Sequence, residues 1–337
     1  MKKWLTVSLI ALLLIVSGCS QNGQTSQGSS TGTDSGNSGA TEAAKSDFPK
    51  KPIEMIVPYE AGGANDVAAR IIANAANKYM PNGQNIVIVN KPGGATIVGA
   101  TELFQAKPDG YKIGMLTIST LTNRPHTGNT TFTFDSFTPV IQVFTFPQTL
   151  FVKQDAPWKT FEEWLAYVKA NPGKFTYGIG ASGSSAHLAM ASLAGRAGLD
   201  MKAVPFSGGA PTVTALMGGH VQGALLQSTL APEARKLVAT SSKKSDLIKD
   251  VPLLTEKGFD VAFDEVSAIL APKDTPKEIV SILHDAVKKA MDDPQVKEEL
   301  YKVGADELYA SGEDFQKEVD KKFVENGQLM KNLGLVK

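Results

Sequence analysis

From Phe48 onward the chain repeats one local plan: a short apolar or β-branched run, a turn rich in glycine or serine, then a stretch with helical spacing. The runs are "IEMIV", "NIVIV", "KIGMLT", "FTYGI", "MKAVPF" and "GALLQ". Short strands separated by helical segments point to parallel βαβ units, because a parallel pair needs a long crossover. The fixed hand of that crossover puts helices on both faces of the sheet. Helices are expected after Asn65, after Ala95, after Ser185 and after Thr160, where Thr160 and Glu163 have the spacing of a capping box. The C-terminal stretches "PKEIVSILHDAVKKAMDDPQVKEELYKVG" and "SGEDFQKEVDKKFVENGQLMKNLGL" are helical at a period near 3.6, and Ile279, Ile282, Leu283 and Ala286 form an apolar stripe that packs on the core.

The N-terminus is built differently. "MKKWLTVSLIALLLIVSGCS" has a positive start at Lys2 and Lys3, and its apolar run is too short to span a bilayer as a stable helix. It ends in Val16-Ser17-Gly18-Cys19, which resembles a bacterial lipobox. Cys19 is the only cysteine, so no internal disulfide can form. The expectation is a signal peptide over residues 1–18 and lipidation of Cys19, such as palmitate. The alternatives are an ordinary secretory signal with an incidental cysteine, or an uncleaved anchor. Residues 19–47 are a Ser/Gly/Thr-rich tether with too little apolar surface to build a core. A coil of that length reaches about 30 Å. That arrangement places the protein at the outer face of the cytoplasmic membrane of a Gram-positive-type cell. Roughly 290 residues then remain, suited to two lobes.

Charge excludes several classes. Lys and Arg total 34 against 34 Asp and Glu, and only four of the cations are arginine. No basic stripe marks a nucleic-acid binder, so attraction for an anion has to be local. The four histidines are scattered with no ligand spacing, so no metal and no cofactor are expected.

In "IVPYEAGGANDVAAR" Pro58 stops the strand and the chain turns through Gly62 and Gly63, with Asn65 or Asp66 placed to cap the following helix. Unpaired N–H groups at such a terminus suit a carboxylate or phosphate. The same residues also suit a turn that needs glycine only for its geometry. In "FTYGIGASGSSAHLAMASLAG", Gly178, Gly180 and Gly183 fit a dinucleotide-binding turn, but the next strand ends in Phe206 and Ser207 with no acid to hold a ribose. An anion site with Ser184 and Ser185 survives. No nucleophile elbow surrounds Ser184, so His187 reads as structural and not as a hydrolase base. "NKPGGATIVGA", "TISTLTNRP" and "PFSGGAPTVTALMGG" place Gly, Ser or Thr after strands, where the loops of an open parallel sheet line one mouth.

Taken together, "KPIEMIVPYEAGGANDVAARII", "NIVIVNKPGGATIVGATELFQAKPDGYKIGML", "FTPVIQVFTFPQTLFV", "NPGKFTYGIGASGSSAHLA", "PFSGGAPTVTALMGGHV" and "DVPLLTEKGF" resemble, in order, the blocks of the tripartite tricarboxylate transporter substrate-binding proteins, the Bug family. The resemblance implies a type II periplasmic-binding-protein-like α/β fold, with two lobes joined by a hinge and a ligand cleft between them. One lobe would comprise residues 48–146 plus 268–337 and the other residues 147–267. Carried over from the family, a ligand carboxylate would meet Ala61, Gly62, Gly63 and Asp66 on one side and Gly183, Ser184 and Ser185 on the other. Thr120, Phe206, Ser207 and Gly208 would form walls, and Asp66 would serve as a cap. The chain departs from the family at Phe206, Ser207 and Gln222.

The expected function is non-enzymatic capture of a small organic carboxylate by a monomer, which delivers it to membrane permease subunits. Di- and tricarboxylates, acidic amino acids and aromatic acids are the ligand classes. The alternatives are a sensor that presents a carboxylate to a signalling receptor and, from another class, a nucleotide-dependent enzyme or hydrolase.

Overall fold

The computed structural model describes residues 47–336, so the signal segment, Cys19 and the tether up to residue 46 lie outside the described residues. The strands in chain order are β1 (Ile53–Val57), β2 (Ile86–Asn90), β3 (Lys112–Thr117), β4 (Phe137–Phe146), β5 (Gln148–Val152), β6 (Phe175–Ile179), β7 (Met201–Pro205), β8 (Gly223–Gln227), β9 (Arg235–Ala239), β10 (Glu265–Pro272) and β11 (Asp306–Ser311). The helices are α1 (Ala64–Ala76), α2 (Ile97–Phe104), α3 (Ile118–Thr122), α4 (Phe161–Ala170), α5 (Ser185–Ala197), α6 (Gly209–Met217), α7 (Lys277–Met291), α8 (Pro294–Lys302) and α9 (Gly312–Asn332).

The strands form two sheets, ordered β11-β4-β10-β3-β1-β2 and β7-β6-β8-β5-β9. In the first, β1 runs parallel to β2 and β3, whereas β10 is antiparallel to β3 and β4. In the second, β6 runs parallel to β7 and β8, and β5 is antiparallel to β8 and β9. Both sheets are therefore mixed, a departure from the all-parallel expectation. Each parallel block still sends its strands' C-terminal ends to one rim. The first sheet collects the loops after β1, β2 and β3 at its rim, and the second collects those after β6, β7 and β8. Pro147 alone separates β4 of one sheet from β5 of the other.

Helices cover both faces of each sheet. On one face of the first, α1, α7 and α8 bury Ile72, Leu283, Val287 and Leu300 against Ile53, Met55 and Ile113. Leu283 and Ala286 of the α7 stripe are core residues, and Ile279 and Ile282 pack at its margin. On the other face, Leu103 of α2 and Phe315 and Val319 of α9 meet Ile56, Leu116 and Leu270. The second sheet is covered by α4 and α5 on one face, around Trp164, Phe175 and Leu193, and by α6 on the other. At the start of α4, Thr160 Oγ1 accepts from the Glu163 amide at 3.2 Å. Glu163 returns the bond one residue earlier than a standard box, to the Lys159 amide.

Candidate functional site

The turn after β1 is locked by one carboxylate. Gly62 has φ of 81°, in the left-handed region, and Gly63 is the N-cap of α1 without a side-chain cap bond. Neither Asn65 nor Asp66 caps the helix in the expected sense, because the cap is Gly63 and the helix already begins at Ala64. Asp66 lies three residues past the N-cap and reaches back: Oδ2 accepts from the Gly62 amide at 2.8 Å and from Arg70 Nε at 3.0 Å, while Oδ1 accepts from Asn90 Nδ2 at 2.8 Å. Burial opposes its charge, but the hydrogen bonds from Arg70, Gly62 and Asn90 outweigh that and hold the carboxyl below the usual carboxylate range. Arg70 also pairs with Oδ1 at 2.9 Å, which neutralises a charge that would otherwise repel an anion. The Gly63 amide donates to Glu60 O, so the amides left without an intrahelical acceptor are those of Ala64, Asn65 and Asp66.

The second sheet repeats this design. Gly183 has φ of 68°, Ser184 is the N-cap of α5, and its Oγ accepts from the His187 amide at 3.3 Å. His187 occupies the position that Asp66 holds in α1, and its Nδ1 accepts from the Gly183 amide at 3.1 Å. The two N-caps have nearly identical backbone angles, φ −73° and ψ 163° at Gly63 against φ −72° and ψ 163° at Ser184, and both helices run 13 residues. His187 is thus a loop fastener, and Ser185 is buried at the helix start.

Burial lowers the His187 pKa below its ordinary 6.5. The folded chain keeps the ring neutral, so the unfolded chain binds the extra proton first as pH falls. The contribution is intact above about pH 6.5 and is lost as pH drops through the lower folded-state value. Melting curves between pH 8 and 5 should show His187→Gln losing less stability on acidification than the wild type.

Between these loops lies a chain of hydroxyls that spacing does not reveal. Tyr59 Oη contacts Thr117 Oγ1 at 3.1 Å, Thr117 contacts Ser119 Oγ and Thr120 Oγ1 at 3.2 Å each, and Thr120 contacts Thr96 Oγ1 at 2.8 Å. Ser119 Oγ donates to Glu265 Oε1 at the start of β10. Thr96 is held at φ 82° and follows Ala95 at φ 52°, conformations that cost a branched or Cβ-bearing residue about 1–3 kcal/mol. Arg124, just after α3, is 9 % exposed and donates from Nη1 to Ser182 O at 3.2 Å. Asn123 Nδ2 donates to Gly183 O at 3.0 Å. Asn326 of α9 supports that contact by donating to Asn123 Oδ1 at 2.8 Å. Burial pulls the Arg124 pKa down, against the opposing fields of Glu265 and Tyr59. Burial, and then the charge of Glu265, raise the Tyr59 phenol well above its ordinary value.

The predicted residues therefore divide into groups. Thr120 is buried in the hydroxyl chain. Gly183 and its neighbour Ser182 meet Asn123 and Arg124 across the gap between sheets. Ala61, Gly62 and Gly63 are exposed and, among the described residues, make no hydrogen bond to the second sheet's loops. Gly208, the N-cap of α6, sits against Gly180: a Cβ built on Gly180 would lie 3.5 Å from the Gly208 carbonyl carbon. A Cβ on Gly178 would strike Thr212 Cγ2 at 2.7 Å, so the first two glycines of the dinucleotide-like pattern serve packing of β6 against α6 and its entry loop. Phe206 packs with that cluster, and Ser207 is exposed. Gln222 accepts from the Thr176 amide at 3.1 Å, at the opposite end of β6 from these loops. A surface concavity of about 510 Å³ lined by Lys51, Glu54, Glu102, Lys107 and Tyr111 also lies at the far end of the first sheet.

The model of the tripartite tricarboxylate transporter family receptor matches residues 68–335. Among curated relatives, the UPF0065 protein in the gbd 5′ region of Cupriavidus necator is 32% identical over 304 residues, covering 88% of this chain and 91% of that protein. Among solved structures, a TctC solute binding protein from Polaromonas has a TM-score of 0.72 at 32% identity, covering 85% of this chain and 99% of that one. An R. palustris protein solved with adipate has a TM-score of 0.76 at 26% identity, covering 86% and 99%. The two sheets are accordingly the two lobes of a type II periplasmic-binding-protein-like fold. The chain belongs to the tripartite tricarboxylate transporter receptor family.

Proposed function

We propose that this protein is an extracytoplasmic solute-binding lipoprotein that captures a small organic carboxylate between its lobes and delivers it, without turnover, to a membrane permease. Lipid attachment at Cys19 tethers it to the outer face of the membrane. The observation that carries this reading is the matched pair of loops, Gly62 to Asp66 and Gly183 to His187, each opening a 13-residue helix at the rim of its sheet. The R. palustris relative solved with adipate supports carboxylate as the ligand class.

In this reading Ala61, Gly62 and Gly63 shape the first loop, and the amides of Ala64 and Asn65 face the carboxylate. Ser184 and Ser185 open the second terminus. Thr120, Phe206, Ser207 and Gly208 are walls, and Asp66 is a fastener. Two helix termini contribute about 0.3–2 kcal/mol each, whereas micromolar affinity needs about 8 kcal/mol. The difference calls for charge-assisted hydrogen bonds at about 1.5–3 kcal/mol each, strengthened as the lobes exclude water. Arg124 is the cation buried where the two rims meet, and we assign it as the anchor for the carboxylate.

The test is thermal stabilisation of protein stripped of carried-over ligand, against di- and tricarboxylates, amino acids and aromatic acids. At least one is expected to raise the melting temperature, and Gly63→Val is expected to abolish that rise. No shift with any carboxylate would remove the reading.

A further inference from the structure

The hydroxyl chain has only one consistent direction. Ser119 spends its hydrogen on Glu265, so it accepts from Thr117; Thr117 therefore accepts from Tyr59 and Thr120, and Thr120 accepts from Thr96. Every hydroxyl hydrogen in the chain is committed toward Glu265. What remains along it is oxygen lone pairs. At its end, Glu265 Oε2 is buried and has no hydrogen-bond partner. Arg124 does not supply one, since among the described residues it has no carboxylate within 4.0 Å and its Nη1 is directed to Ser182.

A buried cation and a half-buried carboxylate with one buried oxygen thus stand in one crevice, near enough for their fields to act on each other and on Tyr59, yet unpaired. Opposite charges held apart out of water are unfavourable for the protein alone. They suit a guest that brings both complements.

We propose that Glu265 Oε2, at the end of the acceptor-only hydroxyl chain, is a subsite for a ligand ammonium, so that the solute is a carboxylate bearing an amino group and lies between Glu265 and Arg124. The assignment rests on the carboxylate-binding reading above and narrows its ligand class to zwitterions. A plain dicarboxylate would leave Oε2 without a donor and would set an anion against it.

Isothermal titration of the stripped wild-type protein with three matched pairs tests this: succinate and aspartate, glutarate and glutamate, 3-phenylpropanoate and phenylalanine. In at least one pair the amino member is expected to bind about tenfold more tightly or better. In Glu265→Gln that advantage should shrink to about threefold or less, with the desamino member's own affinity equal or improved. A wild-type protein that takes every desamino acid as tightly as its partner overturns the ammonium subsite and leaves the carboxylate reading standing. Full retention of the amino preference in Glu265→Gln overturns the subsite in the same way. Should none of the six bind, the ammonium subsite falls, and the carboxylate reading is decided separately by the wider melting panel above. The wild-type pairs decide the matter even if Glu265→Gln does not fold.

Discussion

Replacing Arg124 with methionine should weaken carboxylate binding about a hundredfold, or about 2.7 kcal/mol, while the melting temperature without added ligand stays within about 2 °C of wild type. The asymmetry follows from burial. Arg124 is 9 % exposed, and burial already pulls its pKa down, so its charge is held against the preference of the protein alone. Methionine keeps an unbranched apolar stem and removes that burden. The loss is one hydrogen bond to Ser182 O, worth about 1 kcal/mol, which the regained desolvation offsets. A bound carboxylate loses its charge-assisted partner outright. Arg124→Lys should fall between the two, because it keeps the charge and loses the planar fork. Calorimetric titration beside a melting curve separates the effects. Equal affinity in Arg124→Met would remove Arg124 from the site, and a large fall in melting temperature would make its role structural.

The second large effect lies in the scaffold. Gly312 opens α9, where a Cβ would come within 2.3 Å of Pro139 O and 2.9 Å of its carbonyl carbon. These are backbone atoms of β4, the strand that bridges β10 and β11, and no rotamer change can move them aside. Gly312→Ala should therefore cost about 3 kcal/mol by overpacking, lowering the melting temperature by about 5 °C. The damage should also reach the crevice, since α9 carries Asn326, which holds Asn123 in place over Gly183. Differential scanning calorimetry checks the first part. A change under about 2 °C would show that helix and strand can separate at that point without cost.

How much of this is legible in the sequence differs by element. β1, β3, β6 and β8 coincide with the apolar runs, because each run is followed by a turn signal. β4, β5, β9, β10 and β11 do not stand out as strands in the sequence. β4 contains Pro139 and a register shift, and β11 is a half-exposed edge strand with its own irregularity. Their pairing is antiparallel and long-range, which local pattern does not record. The site shows the same division. Glycine and serine turns after strands can be read locally, and so can the capping box at Thr160. The hydroxyl chain cannot, since its key bond joins Ser119 to Glu265 across 146 positions. Its local trace is the Thr/Ser-rich stretch "TISTLTNRP", which holds Thr117, Ser119 and Thr120 beside the lone cation Arg124. The sequence places the cap of α1 too late, because Asp66 has the chemistry of a cap and reaches backward instead.

The two rim loops share a backbone plan but not a fastening residue. A left-handed glycine is tied to an acceptor four residues on, and that acceptor is an aspartate in one loop and an imidazole in the other. Shape and charge are therefore separable in this motif. Asp66 carries a full negative charge that Arg70 must cancel, and it keeps its grip across the physiological range. His187 needs no counter-ion and lets go on acidification. One loop is held by a fixed charge and the other by a neutral ring, so two helix starts of the same shape differ in how they respond to pH.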